Sequence, residues 1–461
     1  MTRLKVGFLL AALAFAPYST SLQAQQSSED DSTARIAELE AQVDKLGSDY
    51  QRLLEILKNL EADAALRRDT LPEDEFYIPR GGAGYGASGG GPGTMADAYS
   101  FGVGDLRRLA EKTYIGGYID IEYANPTGSG TASREFDQHR FVPFIYSDIN
   151  ESIKVAAEIE VEHGHELEVE FAQMDFLINQ YANLRAGIQL LPLGKFNMVH
   201  DSPIQELTYR PMVDTYIIPT TLRDAGLGMW GDVTETISYH ATVTNGFRGL
   251  TTAGKNEITR EKGLRNAAPY KNKIGKPFEN FNNAFAYTGR LQWTPILGLE
   301  TGISGLLNKY DEKADNNLKI WALDATLQGQ AVPGMPDNME LLYEGAWADI
   351  QRNRFAHNSG VAGDMNGHYV QANVHFVPNF IADSIGDNGF VEDGAHFTFV
   401  TRYGMVDLDD YVRRRTTLGL NYRPNESDTV IKFDYLFNGD NGPLSGDNDD
   451  NIWAMSFASY F

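Results

Sequence analysis

Ile452–Phe461 reads IWAMSFASYF. Trp453, Met455, Phe457 and Phe461 fall on one face, and Ala454, Ser456, Ala458 and Tyr460 on the other. A period of two is that of a β-strand, here with one apolar and one mixed face. Three aromatic side chains on the outer face of a last strand would sit badly in water. They suit a sheet whose outer face meets lipid.

The same pattern runs upstream as far as Tyr114. In Asn183–Leu190, Leu184, Ala186, Ile188 and Leu190 oppose Asn183, Arg185 and Gln189. In Phe285–Trp293, Phe285, Tyr287, Leu291 and Trp293 oppose Thr288, Arg290 and Gln292. About sixteen such segments of about 9–12 residues follow one another, a length that crosses a bilayer when tilted. The first is read as 113–123; later ones include 395–404, 415–423 and 451–461. Short connections alternate with long polar ones, the asymmetry of an all-β transmembrane barrel of antiparallel strands. Residues 328–339 and 377–394 are long for short-side turns, so eighteen strands is the alternative count. No fixed-period repeat supports a solenoid or propeller.

The N-terminal quarter reads differently. Arg3 and Lys5 precede an apolar run, Val6–Ala16, and a polar stretch ends at Ala24. This is the pattern of a signal peptide over residues 1–24. Residues 25–70 carry a heptad seam: Ile36, Leu39, Val43, Leu46, Tyr50, Leu53, Leu57 and Leu60 recur at spacings of three and four. Such a seam predicts a coiled-coil helix that associates with copies of itself. Residues 71–112 include GGAGYGASGGGPGT, a flexible linker rather than a phosphate loop. The barrel is then 113–461, and an even strand count puts both of its ends, with the coiled coil, on the periplasmic side.

Composition narrows the function. The chain has no cysteine, which excludes disulfides, thiolate metal sites and cysteine nucleophiles. Its formal charge is -24, becoming -26 without Arg3 and Lys5, so nucleic acid is not an expected partner. The negative mean hydropathy is compatible with strands that alternate apolar-out and polar-in. No hydrolase arrangement stands out. His240, beside Ser238, Thr242 and Thr244, reads as pore lining. Neither enzyme activity nor a cofactor is expected.

Two stretches concentrate charge. The connection Leu191–Asp224 holds four prolines, the basic or titratable residues Lys195, His200, Arg210 and Arg223, and the acids Asp201, Glu206, Asp214 and Asp224. It is read as a segment folded inward to narrow the lumen, where close charges set ion preference. The alternative is a loop folded over the rim. Further on, Glu158, Glu160 and Glu162, then Glu166, Glu168 and Glu170, alternate with apolar residues around His163-Gly164-His165. Six carboxylates then share one face of a hairpin, forming a cation-attracting wall opposite the basic residues of the connection. His163 and His165 could add a divalent metal, but no metal site is assigned. Arg185, Arg290 and Arg402 are further basic lumen candidates, with Lys432.

The segments GIQLLPLGKFNMVHDSPIQELTYRP, TTLRDAGLGMWG and EIEVEHGHELEVEF resemble the phosphate-selective porin O and P family. The signal peptide, coiled coil and closing aromatic are similar to related trimeric porins that carry dicarboxylates. The resemblance implies an outer-membrane homotrimer in contact with lipid, passing small hydrophilic solutes, with anions such as dicarboxylates or phosphate among them. The competing reading is a barrel that anchors a coiled-coil tether to periplasmic or cell-wall partners.

Overall fold

The computed structural model describes residues 113–127, 134–271, 277–280, 282–382, 384, 391, 392, 394–424, 428–440 and 450–461. The signal peptide, coiled coil and linker expected over residues 1–112 lie outside them. Sixteen strands close into one antiparallel barrel. They are β1 (Thr113–Pro126), β2 (Glu135–Asn150), β3 (Ile153–Glu162), β4 (Glu166–Phe176), β5 (Asn183–Leu190), β6 (Arg223–Asp232), β7 (Ile237–Thr244) and β8 (Ala286–Ile296). They continue with β9 (Leu299–Lys309), β10 (Asn317–Gln328), β11 (Met339–Ile350), β12 (Met365–Phe376), β13 (His396–Leu408), β14 (Val412–Arg423), β15 (Thr429–Asp440) and β16 (Ile452–Tyr460). Each strand pairs with its sequence neighbours, and β1 pairs with β16. This sets aside the eighteen-strand alternative. The connection from β10 to β11 holds a single 3-10 turn, and that from β12 to β13 a four-residue helix, with no strand among their described residues.

Alternation decides which way each side chain points. Leu291, Trp293, Trp321, Phe399, Phe433 and Trp453 stand exposed on the outer face, while Arg290, Gln292, Asp324, Thr398, Lys432 and Asp434 are buried on the inner one. No described helix is long and apolar enough to cross a membrane.

The seam is closed by the last residue. Phe461 N–H donates to Gly117 O at 2.9 Å, Gly117 N–H donates to Phe461 O at 3.2 Å, and the Phe461 ring stacks on Phe141. A side chain at Gly117 would put its Cβ 2.3 Å from Val142 O and 2.9 Å from the Phe461 ring, so glycine is what lets the strands meet.

Four register shifts interrupt the strand pairing, and two of them shape the inner face. Asp120 pairs with Arg140 and Glu122 with Asp137, leaving Gln138 and His139 opposite one residue of β1. On β4, Glu158 pairs with Phe171 and Ile159 with Val169, so Glu170 is the extra residue. A bulge re-aims the side chains around it. Glu170 and Phe171 are in consequence both buried.

Inside, Leu193, Ile217, Ile218 and Leu222 of the β5–β6 connection pack with Phe247, Leu250, Ile258 and Leu264 of the β7–β8 connection. This core rests on inward apolar residues of β9 to β13, including Leu306, Ile320, Ala346 and Val406. One side of the barrel interior is therefore filled by hydrophobic packing.

Candidate functional site

The segment 191–222 between β5 and β6 is the most heavily anchored connection. It carries 3-10 turns at Phe196–Met198 and Ser202–Ile204 and one helical turn at Val213–Tyr216. Its first anchor is on β9 to β11. Gly194 N–H donates to Ser304 Oγ at 2.9 Å, Phe196 N–H to Glu344 Oε2 at 2.9 Å, and Lys195 Nζ to Thr326 Oγ1 at 2.7 Å. Lys195 also pairs with Glu300 at 3.0 Å. Gly194 adopts φ +70°, and a Cβ there would sit 2.0 Å from Glu344 Oε1, so only glycine fits.

The segment then reaches the facing strands. Tyr460 Oη donates to Asp201 Oδ2 at 3.1 Å and Lys432 Nζ to Ser202 O at 2.7 Å. Glu206 accepts from Arg423 at 2.9 Å and from Asn421 at 2.6 Å. Thr208 N–H donates to Asp434 Oδ2 at 2.6 Å, and Arg402 donates to Tyr209 O at 2.7 Å. His200 Nε2 lies 2.7 Å from Glu170 Oε1, and Arg223 pairs with Glu168. Partners on β4, on β9 to β11 and on β13 to β16 mean that the segment touches inward-facing side chains on facing sides of the barrel. Hydrogen bonds to charged groups contribute about 1.5–3 kcal/mol each, so this docking is firm.

The charged residues singled out in the sequence fall into several groups. Lys195, His200, Asp201, Glu206 and Arg402 join the segment to the wall, as above. Arg185 and Arg290 are taken up by the wall itself. Arg185 Nε lies 2.7 Å from Asp175 Oδ1, and Arg290 Nη1 2.5 Å from Asp324 Oδ2, all four residues buried. Arg223 and Asp224 begin β6 rather than ending the connection, and Asp224 accepts from Gly246 N–H at 2.5 Å. The glutamate hairpin divides too: Glu158, Glu160 and Glu170 are buried, whereas Glu166 is exposed at the turn. Arg140 bridges Glu160 at 3.0 Å and Glu162 at 3.7 Å. His200 of the segment and Arg223 of β6 thus sit against this hairpin rather than across the lumen from it, whereas Lys195 is held on β9 and β10.

Asp214, in the helical turn, is fully buried, and neither of its oxygens meets a donor among the described residues. Burial, reinforced by the neighbouring Glu344 carboxylate, holds its carboxyl well above the usual aspartate range.

Opposite the filled side lies a cavity of ≈ 570 Å³ between the segment, β1 to β4 and β14 to β15. Its lining includes six basic side chains, Arg140, Arg210, Arg265, Lys271, Arg415 and Lys432, against three acidic ones, Glu122, Glu162 and Glu166. Arg210, Arg265, Lys271, Arg415 and Lys432 meet no carboxylate at ion-pair distance among the described residues. Arg210 donates to Thr220 O, while its Nη2 is buried without a partner among the described residues. Burial and then the Arg140 charge lower the Arg210 guanidinium, and burial lowers the Lys271 ammonium. Both groups therefore gain from an anion placed beside them.

Arg140, Arg265, Lys271 and Arg415 were not among the sequence candidates. Arg140 was accessible to that reading, being in phase with the inward Val142, Phe144 and Tyr146. Arg265 and Lys271 lie in a long connection, where no period assigns a direction.

No family model matches the chain. An uncharacterized protein of Aquifex aeolicus (strain VF5) is 31% identical over 247 residues, 50% of this chain and 53% of that one. The chain spans about half the length of this relative. Similar solved structures include an anion-selective porin from Comamonas acidovorans (10% identity, 76% of this chain and 100% of that one, TM-score 0.48). Another is the outer membrane channel DcaP of Acinetobacter baumannii (9% identity, 76% and 97%, TM-score 0.47). A third is OmpT, an outer membrane protein of Vibrio cholerae, in its trimer form (10% identity, 77% and 100%, TM-score 0.48).

Proposed function

We propose that this chain is an outer-membrane porin that lets small hydrophilic anions diffuse down their gradient, with the segment 191–222 narrowing the path. The observation that carries this reading is the ≈ 570 Å³ cavity with six basic and three acidic side chains in its lining. A low-dielectric passage focuses the field of such charges and raises the local concentration of counter-ions. The outward band of Trp, Phe and Leu supports residence in a bilayer. Phosphate and small dicarboxylates match the charge of the lining and agree with the resemblance of the 187–211 and 220–231 segments to phosphate-selective porins. No bond is made or broken: the cavity lining offers Arg210, Lys271 and Arg415, and each must bind weakly enough to release. A homotrimer joined through the heptad seam of residues 25–70 agrees with this role.

The test is single-channel conductance of the purified protein in planar bilayers, with reversal potential under a KCl gradient. Stepwise anion-selective current, reduced by phosphate or succinate, is expected. Cation-selective current would overturn the anion reading, and absence of current would overturn the porin reading.

A further inference from the structure

We propose that Asp137, His139 and His163 form a binding site for a divalent transition-metal ion, Zn²⁺, on the cavity wall, with Glu122 orienting His139. One donor atom from each of the three residues lies within 4.8 Å of the other two. His163 Nδ1 is 2.7 Å from Asp137 Oδ2, and His139 Nδ1 is 3.3 Å from the same oxygen. In a tetrahedral site with donors about 2.0–2.1 Å from Zn²⁺, the donors stand about 3.3 Å apart. The cluster needs only small movements to reach that spacing.

Three further features point the same way. The β2 bulge lets His139 line the cavity beside Arg140, and His139 follows Asp137 by two residues on the same strand. His139 Nε2 lies 3.8 Å from Glu122 Oε1, on the side away from Asp137. A carboxylate behind the second ring nitrogen is the usual way a metal-binding histidine is held in one tautomer. Glu122 and Asp137 also face each other directly across the β1–β2 register. Two like charges opposite one another destabilise a strand pair. A dication between the histidines compensates them both.

His139, His163 and Glu122 line the cavity, so the ion has an entry route. His163 holds a left-handed conformation, φ 54°, in the turn after β3, and its N–H donates to His139 O at 3.3 Å. The turn thereby brings the third donor over the bulge. Three protein donors leave one tetrahedral position open toward the cavity. None of this depends on transport.

The experiment is isothermal titration of ZnCl₂ into the full-length protein in detergent micelles, with folding of every variant checked by heat-modifiable migration. One saturable site of micromolar affinity is expected. His163→Ala and Asp137→Asn should each weaken it at least about tenfold, and Glu122→Gln by about tenfold. His165→Ala and His396→Ala should leave it unchanged. His396 belongs to a second histidine pair, 5.5 Å from His375 between ring centroids, with no clustered carboxylate among the described residues. The proposal fails if the wild type shows no saturable site, if His163→Ala binds as the wild type does, or if His165→Ala or His396→Ala removes the binding. Because the readout is heat, a silent bilayer experiment and a missing metal site are distinguishable.

Discussion

The two sides of the barrel interior are built from the same strand alternation but finished in opposite ways. Against β9 to β13, inward positions are largely apolar, and two long connections pack on them until Leu193, Ile217 and Leu264 are fully buried. Against β1 to β4 and β14 to β15 the apolar cluster is smaller, around Tyr118, Phe144 and Tyr146, and charged inward positions surround open space. The segment 191–222 is the partition between them. The difference teaches that a barrel of this size need not be a uniform pipe. Its bore is set by how much of the interior the connections fill.

The partition is the most sensitive point. Gly194→Val places a side chain into the Glu344 carboxylate at φ +70°. It should undock the segment, at a cost of about 2–4 kcal/mol, and at least double single-channel conductance. Unchanged conductance together with unchanged protease resistance of 191–222 would break the comparison. Next in size, Arg210→Glu with Arg415→Glu should move the reversal potential toward cation selectivity by several-fold in permeability ratio. A shift equally large from the paired Arg185 would show that position in the cavity is not what matters.

The third prediction concerns pH. The Asp214 carboxyl is raised, so the fold prefers its protonated form. That contribution is complete below the ordinary aspartate pKa of about 3.9 and is lost as pH rises through the raised folded value. Docking of the segment, read by limited proteolysis across a pH series, should therefore loosen with rising pH. Asp214→Asn should flatten the dependence.

The smallest effect on transport should come from the wall pair. Arg290→Leu with Asp324→Leu removes two buried, mutually neutralised charges and should change selectivity by less than about twofold. Arg290→Leu alone strands a buried carboxylate and should cost about 3–5 kcal/mol of stability, read by thermal unfolding.

Much of the fold was legible because lipid on one side and polar interior on the other impose a strict period of two. All sixteen segments are strands, and the errors lie at their ends. The segment read as 395–404 continues to Leu408, and that read as 415–423 starts at Val412. There the charged run Asp407–Arg415 has turn composition, although Val406, Leu408 and Arg413 keep the alternation. The segment 191–222 stood out by its charges and prolines, yet composition does not say which wall each charge meets. Arg185 and Arg290 read as free lumen charges because their partners, Asp175 and Asp324, lie on neighbouring or next-neighbouring strands. The bulges at His139 and Glu170 leave no mark in a periodic reading, since they consist in a failure of the period.

Closure by Phe461 against Gly117 and Phe141 has a temporal consequence. β1 and β16 are the most distant strands in sequence and are neighbours in space. Their pairing cannot form until nearly all of the barrel has been synthesised, and every other strand pair is local by comparison. Contacts between distant residues slow folding, so ring closure should come last and gate the rest. Until then the nascent sheet has two sticky borders that any other unfinished sheet can extend. Losing β16 would therefore do more than remove one-sixteenth of the wall. It would turn a self-limiting assembly into an open-ended one.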